Sequence, residues 1–177
     1  KPEKSLIGFI GAPWTLIIYL LNLKKGGKIS QNDINQNKEN IKLIINKLSE
    51  FLMYHIEYQV KSGADVVQIF DSWAGLIEKD HLEDWCYKPN RDLVNYSKSN
   101  KIPVICFPKG LQNNYKEFVN SVKPDGISID SDLDPNWVKN NLNNLCIQGG
   151  INPELLLKEE ENLIFEIDRY LEIFKNN

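Results

Sequence analysis

Short apolar runs alternate with segments of helical periodicity along this 177-residue chain, and that alternation restricts the fold more than any other feature. The runs fall at residues 6–10, 66–70, 103–107, 126–129 and 145–147. Most are continuous rather than alternately polar and apolar, the pattern of strands buried on both faces of a sheet. Between them, Ile41, Ile44, Ile45, Leu48, Leu52, His55 and Gln59 follow a period of about 3.6 residues and predict the longest helix, closed by Ser62-Gly63. Further helices are expected over residues 76–97, where Pro89 can introduce a break or kink, and over 112–122, 135–142 and 158–175. Pro13 suits the first turn of a helix after the first run. The polar residues 32–38 read as a loop or a frayed helix start. Glu159, Glu160 and Glu161 sit where acidic groups favour a helix dipole, and need no functional role.

Repeated βα units predict an α/β fold: a parallel sheet with helices outside it and right-handed crossovers. An open doubly wound sheet and part of a (β/α)8 TIM barrel both satisfy the pattern. No GxGxxG or GxxxxGK[ST] follows any run, which removes the usual sign of a nucleotide site. A complete barrel takes about 250 residues, so about five parallel βα units read as an incomplete (β/α)8 TIM barrel forming a single domain over residues 1–177. The chain opens on Lys1 rather than methionine, from which a longer protein is expected.

Net charge is −3 and Arg91 and Arg169 are the only arginines, so nucleic acid is not an expected partner. The apolar stretch over residues 14–21 falls far short of the ~20 residues a bilayer span needs. No secretory signal pattern is present, and a cytoplasmic location without a membrane partner is expected. Cys86, Cys106 and Cys146 are an odd, widely spaced set that suits a reducing compartment better than a disulfide framework. Cys106 and Cys146 are expected at buried strand positions, and no Cys or His pair has metal-ligand spacing. His55 is expected as a hydrogen-bonded core residue of the long helix, and His81, beside Asp80, as solvent-facing.

Chemistry in α/β proteins gathers beyond the carboxyl ends of strands. Here those ends carry Gly11-Ala12-Pro13-Trp14, Asp71-Ser72-Trp73, Lys109-Gly110, Asp130-Ser131-Asp132 and Gln148-Gly149-Gly150. Such polar ends are also what solvated loops carry. Asp71-Ser72 has no neighbouring histidine and no GxSxG elbow, so a serine nucleophile is not expected.

Two of these ends carry a family resemblance. Residues 7–16, Ile-Gly-Phe-Ile-Gly-Ala-Pro-Trp-Thr-Leu, followed by Tyr19, resemble the IGFxGxPWTLxxYM segment of uroporphyrinogen decarboxylases. Gln68-Ile69-Phe70-Asp71-Ser72-Trp73-Ala74-Gly75 is similar to the xIFDSWxG segment of the same family. Looser matches follow in family order at Phe107-Pro108-Lys109-Gly110, Gly126-Ile127-Ser128-Ile129-Asp130 and Ile147-Gln148-Gly149-Gly150-Ile151-Asn152-Pro153. The chain departs from the family pattern at Ser131, where tryptophan is usual, and at Gly150 and Asn152, which replace the usual Asn and Asp.

The resemblance implies a cofactor-free decarboxylase on a (β/α)8 barrel that converts the four acetates of uroporphyrinogen III to the methyl groups of coproporphyrinogen III, in haem and chlorophyll synthesis. A protonated pyrrole would serve as electron sink, leaving the enzyme a task of electrostatics and positioning. The resemblance further implies substrate contacts at Tyr19 and Ser72, no metal, and a homodimer. Lys109 has the charge to attract a carboxylate at the rim, and equally suits a solvated loop. The family's arginine-rich segment and pyrrole-binding aspartate would lie before Lys1, and its histidine after Asn177. No catalytic residue is therefore assigned within the chain, and the isolated 177 residues are expected to be inactive. A cobalamin-dependent methyltransferase of the same superfamily, which needs zinc ligands at strand ends, and a non-catalytic α/β binding module are the alternatives.

Overall fold

The computed structural model describes residues 3–25, 28–29, 31–143 and 145–175. All five apolar runs are strands: β1 (Ile7–Gly11), β2 (Val66–Asp71), β3 (Val104–Pro108), β4 (Gly126–Ile129) and β5 (Cys146–Gly149). They form one parallel sheet in the order β1-β2-β3-β4-β5. Each strand lies beside its successor, whereas a doubly wound sheet reverses direction at a switch point. The unidirectional winding is that of a (β/α)8 barrel, and among the described residues the sheet is open, so the fold is an incomplete barrel.

Besides a short helix at Gln31–Gln36, the α-helices are α1 (Pro13–Leu20), α2 (Lys38–Lys61), α3 (Lys88–Ser99), α4 (Tyr115–Val122), α5 (Pro135–Asn141) and α6 (Glu160–Phe174) among the described residues. Pro13 and Pro135 each occupy the first helical position, where a missing N–H costs nothing. Asp134 caps α5 by accepting a hydrogen bond from the Asn136 amide at 3.0 Å. Glu160 and Glu161 occupy the first turn of α6, as the dipole favours.

The helices cover one face of the sheet. Ile10, Val67, Ile69, Val104, Cys106, Ile127 and Ile129 point into that layer and are buried with Trp14, Ile17, Ile41, Leu52, Leu93 and Phe118. The alternate residues point to the other face, the interior of a closed barrel. Paired register places Phe9 beside Gln68, Gln68 beside Ile105, and Phe70 beside Phe107 on that side.

Five local expectations change. Residues 32–38 are mostly helical, within Gln31–Gln36 and the start of α2. The stretch before Pro89 contains 3-10 turns at Ala74–Leu76 and Lys79–His81 and a π-helical turn at Glu83–Tyr87. Pro89 then sits in the first turn of α3 and starts that helix instead of breaking it. His55 is exposed, because α2 buries Ile41, Ile45, Ser49, Leu52 and Ile56, a stripe turned away from it. His81 is half-buried and stacks on Trp85 with centroids 4.1 Å apart. Cys106 is buried as expected, whereas Cys146 is exposed, since its side chain belongs to the open face.

Candidate functional site

The carboxyl ends of β1, β2, β3 and β4 are tied into a continuous rim by short hydrogen bonds between successive loops. The Ala12 amide donates to the Phe70 carbonyl at 2.9 Å, and the Lys109 amide to the Asp71 carbonyl at 3.1 Å. The Gly75 amide returns to the Lys109 carbonyl at 2.9 Å. Gly75 and Gly110 meet backbone to backbone: a side chain on Gly75 would collide with the Gly110 carbonyl. Gly110 itself has φ of 82°, where glycine is favoured. Asp130 completes the rim, its Oδ2 accepting from the Gly110 amide at 2.6 Å and the Tyr115 hydroxyl at 3.0 Å. Burial and the Asp130 carboxylate push the Tyr115 phenol well above its ordinary pKa.

Beneath the rim, three aromatic rings run across the open face. Phe9 and Phe70 meet edge to face with centroids 6.0 Å apart, and Phe70 and Phe107 do so at 6.2 Å. Phe9, on the edge strand β1, is 66 % exposed. Sequence reasoning passed over these rings as strand filler. The signal that finds them is alternation: Phe9, Phe70 and Phe107 share the parity of Gln68, opposite to the core residues Ile10 and Ile69. Farther along the same face, Gln68 Nε2 donates to Ser128 Oγ at 3.0 Å, and Ser128 Oγ to Gln148 Oε1 at 3.0 Å.

Tyr19 lies near the end of α1 and is 62 % exposed. Leu16, three residues before it, lies beside the open-face position Gly11, where a Cβ would stand 3.0 Å from Leu16 Cδ2, and Thr15, four residues before it, turns to the helical layer. Ser72 is half-buried and opens the loop after β2. The two residues thus belong to the loop and helix that follow adjacent strands β1 and β2, with no hydrogen bond between them among those described. Lys109 is an exposed rim residue.

Asp71 does not face the rim. It continues the helix-side parity of Val67 and Ile69, is 1 % exposed, and gives each carboxylate oxygen a partner from a different helix. Thr15 Oγ1 donates to Oδ1 at 2.9 Å and Asn90 Nδ2 to Oδ2 at 3.2 Å. Asn90 Nδ2 also donates to the Cys86 carbonyl at 2.9 Å. Burial raises the Asp71 pKa to about 6, against the lowering effect of the Thr15 and Asn90 bonds. Burial and the neighbouring Asp71 carboxylate also push the Cys86 and Cys106 thiols up. A column of rings pins the same region, with His81 on Trp85 and Trp85 on Trp14 at 5.3 Å. Trp14 Nε1 donates to the Trp73 carbonyl at 2.9 Å, one residue beyond Ser72.

The two departures in the last block differ in consequence. Gly150 has φ of 89°, where glycine is favoured, and a Cβ there would stand 2.9 Å from Ile129 Cδ1 and from Tyr170, so the usual asparagine would require these side chains to shift. Asn152 Oδ1 accepts from the Glu154 amide at 2.9 Å, capping the turn at Pro153–Leu157 as an aspartate would. Ser131 is exposed.

Comparison with known sequences places these features in context. The family model described as "Uroporphyrinogen decarboxylase (URO-D)" matches residues 1–177. A curated protein named uroporphyrinogen decarboxylase from Orientia tsutsugamushi (strain Ikeda) is 36 % identical over 180 residues, covering 99 % of this chain and 53 % of its own length. One of the same name from Rickettsia bellii (strain RML369-C) is 34 % identical over 176 residues, covering 97 % of this chain and 52 % of its own length. Another, from the Wolbachia of Brugia malayi (strain TRS), is 32 % identical, covering 98 % and 50 %. The chain spans about half the length of the curated relatives it matches. No helix among the described residues is long and apolar enough to cross a membrane.

Proposed function

The chain belongs to the uroporphyrinogen decarboxylase family, and on that premise we propose that it forms the central part of a site removing carbon dioxide from the four acetates of uroporphyrinogen III, without a cofactor. In this reading its five βα units are strands three to seven of the barrel and one structural domain. The reading is supported by the aromatic floor of Phe9, Phe70 and Phe107 on the open face, on strands of which β1 is followed by the helix that carries Tyr19 and β2 by the loop that carries Ser72. The rings supply apolar contact for pyrrole faces, while the Tyr19 phenol and Ser72 hydroxyl supply hydrogen bonds that orient the macrocycle.

A protonated pyrrole takes up the electron pair of the breaking bond, so the chemistry calls for a stabilised cation and for anchored carboxylates. Arginine forks are the natural anchors for a polycarboxylate. Within this chain, Arg91 reaches Glu83 and Arg169 reaches Glu166, both at partners on the helical layer. The clamps, the cation-stabilising carboxylate and a homodimer partner belong, in this proposal, to polypeptide outside residues 1–177, and the assembled enzyme works in the cytoplasm.

Fluorescence titration with uroporphyrin I, a stable planar octacarboxylate, tests the binding half of the proposal. Tyr19→Phe and Ser72→Ala are each expected to weaken binding about three- to tenfold, the worth of one hydrogen bond. Phe9→Asp should abolish it. Unchanged affinity in all three variants would remove the site from this face. Incubation of the isolated chain with uroporphyrinogen III should release no coproporphyrinogen; turnover would refute the division of parts.

A further inference from the structure

We propose that Asp71 is a positioning residue for this site, its buried carboxylate locking the first turn of α1 to the end of β2 so that Tyr19 and Ser72 are held in fixed relation. The proposal deepens the functional reading above and rests on it. The geometry is a two-ended clamp. Asp71 immediately precedes Ser72 in the chain, and its Oδ1 accepts from Thr15 at 2.9 Å. Thr15 lies four residues before Tyr19, one turn earlier on α1. The path from phenol to hydroxyl therefore runs through a rigid helical turn, one hydrogen bond and one peptide unit. Oδ2 is held by Asn90 of α3, itself fixed to the Cys86 carbonyl at 2.9 Å, so the carboxylate cannot swing.

Nothing in packing alone calls for an acid here. Apart from Thr15, Asn90 and Cys86, Asp71 lies in the buried apolar helix-side layer, and an ionised carboxylate at such a place is retained at a cost in stability. A carboxylate offers two acceptor atoms in fixed geometry to two donors from separate helices, which no apolar side chain of similar size supplies. The parallel link from Trp14 Nε1 to the Trp73 carbonyl joins the same helix to the same loop, which marks this junction as one held from both sides of Ser72.

The experiment compares wild type with Thr15→Val, Thr15→Ser and Asp71→Asn, measuring uroporphyrin I affinity and amide hydrogen exchange together. Thr15→Val keeps the side-chain shape and removes the donor, whereas Thr15→Ser restores it. The expected result is a three- to tenfold weaker affinity in Thr15→Val and Asp71→Asn, with faster exchange at residues 16–20 and 72–76 in Thr15→Val and at residues 72–76 in Asp71→Asn. Thr15→Ser should behave as wild type in both. Equal behaviour of Thr15→Val and Thr15→Ser, or looser amides with unchanged affinity, would overturn the positioning role while leaving the site standing. Failure of wild type to bind, or insensitivity to Tyr19→Phe and Ser72→Ala, would instead sink the site reading and the positioning role with it.

Discussion

Asp71 ties stability to pH in an unusual direction, and Asp71→Asn isolates the effect. Burial raises the pKa of this carboxyl from 3.8 to about 6. In the unfolded chain the group loses its proton near pH 4, so between about pH 4 and 6 the folded state binds more protons than the unfolded one. Stability from this group is fully present below that window and is lost as pH rises through it, the reverse of a salt-bridged aspartate. At about 1.4 kcal/mol per pH unit, a shift of roughly two units makes the folded protein about 3 kcal/mol less stable at pH 7 than at pH 4 through this residue alone. Asparagine carries no charge, so the variant lacks this slope. It keeps an acceptor for Thr15 but presents donors to Asn90, costing about 1 kcal/mol at low pH. Glu57 and Glu166 are held below the usual carboxylate range, chiefly by hydrogen bonds to Lys61 and Arg169, and act in the opposite sense. They are present in both proteins and cancel in the difference. Urea unfolding at pH 4.5, 5.5, 6.5 and 7.5 should therefore show Asp71→Asn gaining on wild type by roughly 2–3 kcal/mol across the series. A difference that stays flat, or moves against the variant as pH rises, would show that the carboxyl is not buried among the groups described.

Three other outcomes follow from packing and exposure. Ile69→Ala, in the middle of β2 and fully buried, should cost about 2–5 kcal/mol in urea unfolding, whereas Tyr58→Ala on the exposed side of α2 should stay within about 0.5 kcal/mol. Gly75→Ala must displace the Gly110 carbonyl and is expected to destabilise by about 1–3 kcal/mol, read as a lowered Tm; an unchanged Tm would mean the two loops do not touch. Ellman's reagent should modify Cys146 in the folded protein at once, and Cys86 and Cys106 only on unfolding, because the latter two thiols are buried and their pKa values raised.

Strands were legible because they are mainly apolar runs, most of them ending at glycine, proline or a charged residue, and β4 begins and ends at the expected residues. Their order followed from topology rather than from any residue: only the unidirectional β1-to-β5 neighbour sequence separates a barrel from a doubly wound sheet. Helix α2 shows where periodicity stops being informative. Its expected stripe is buried at Ile41, Ile45 and Leu52, but Leu43, Phe51, Tyr54 and Tyr58 make the exposed side nearly as apolar, so the period does not mark where the buried stripe ends, and His55 falls beyond it. The π-helical turn before α3 carries no sequence signal comparable to a proline or glycine, and the stacked His81, Trp85 and Trp14 that accompany it are brought together only by tertiary packing.

The candidate site was half legible for a related reason. Strand parity alone assigns Phe9, Phe70 and Phe107 to one face and Asp71 to the other, but it matters only once one face is known to be open. In a sheet covered on both sides a phenylalanine and an isoleucine read alike, so the rings looked like core. Asp71 looked like rim chemistry because it ends a strand beside a serine. Its single-residue offset from Phe70 turns it inward, where its charge meets Thr15 and Asn90 instead of solvent. The acid and the hydroxyl next to it thus divide one strand end between two tasks, the aspartate fastening the helical layer and Ser72 remaining at the rim. A polar pair at a strand terminus is read correctly only after its parity is fixed by the hydrogen-bonded register of its neighbours, here Gly11 against Phe70 and Phe70 against Phe107.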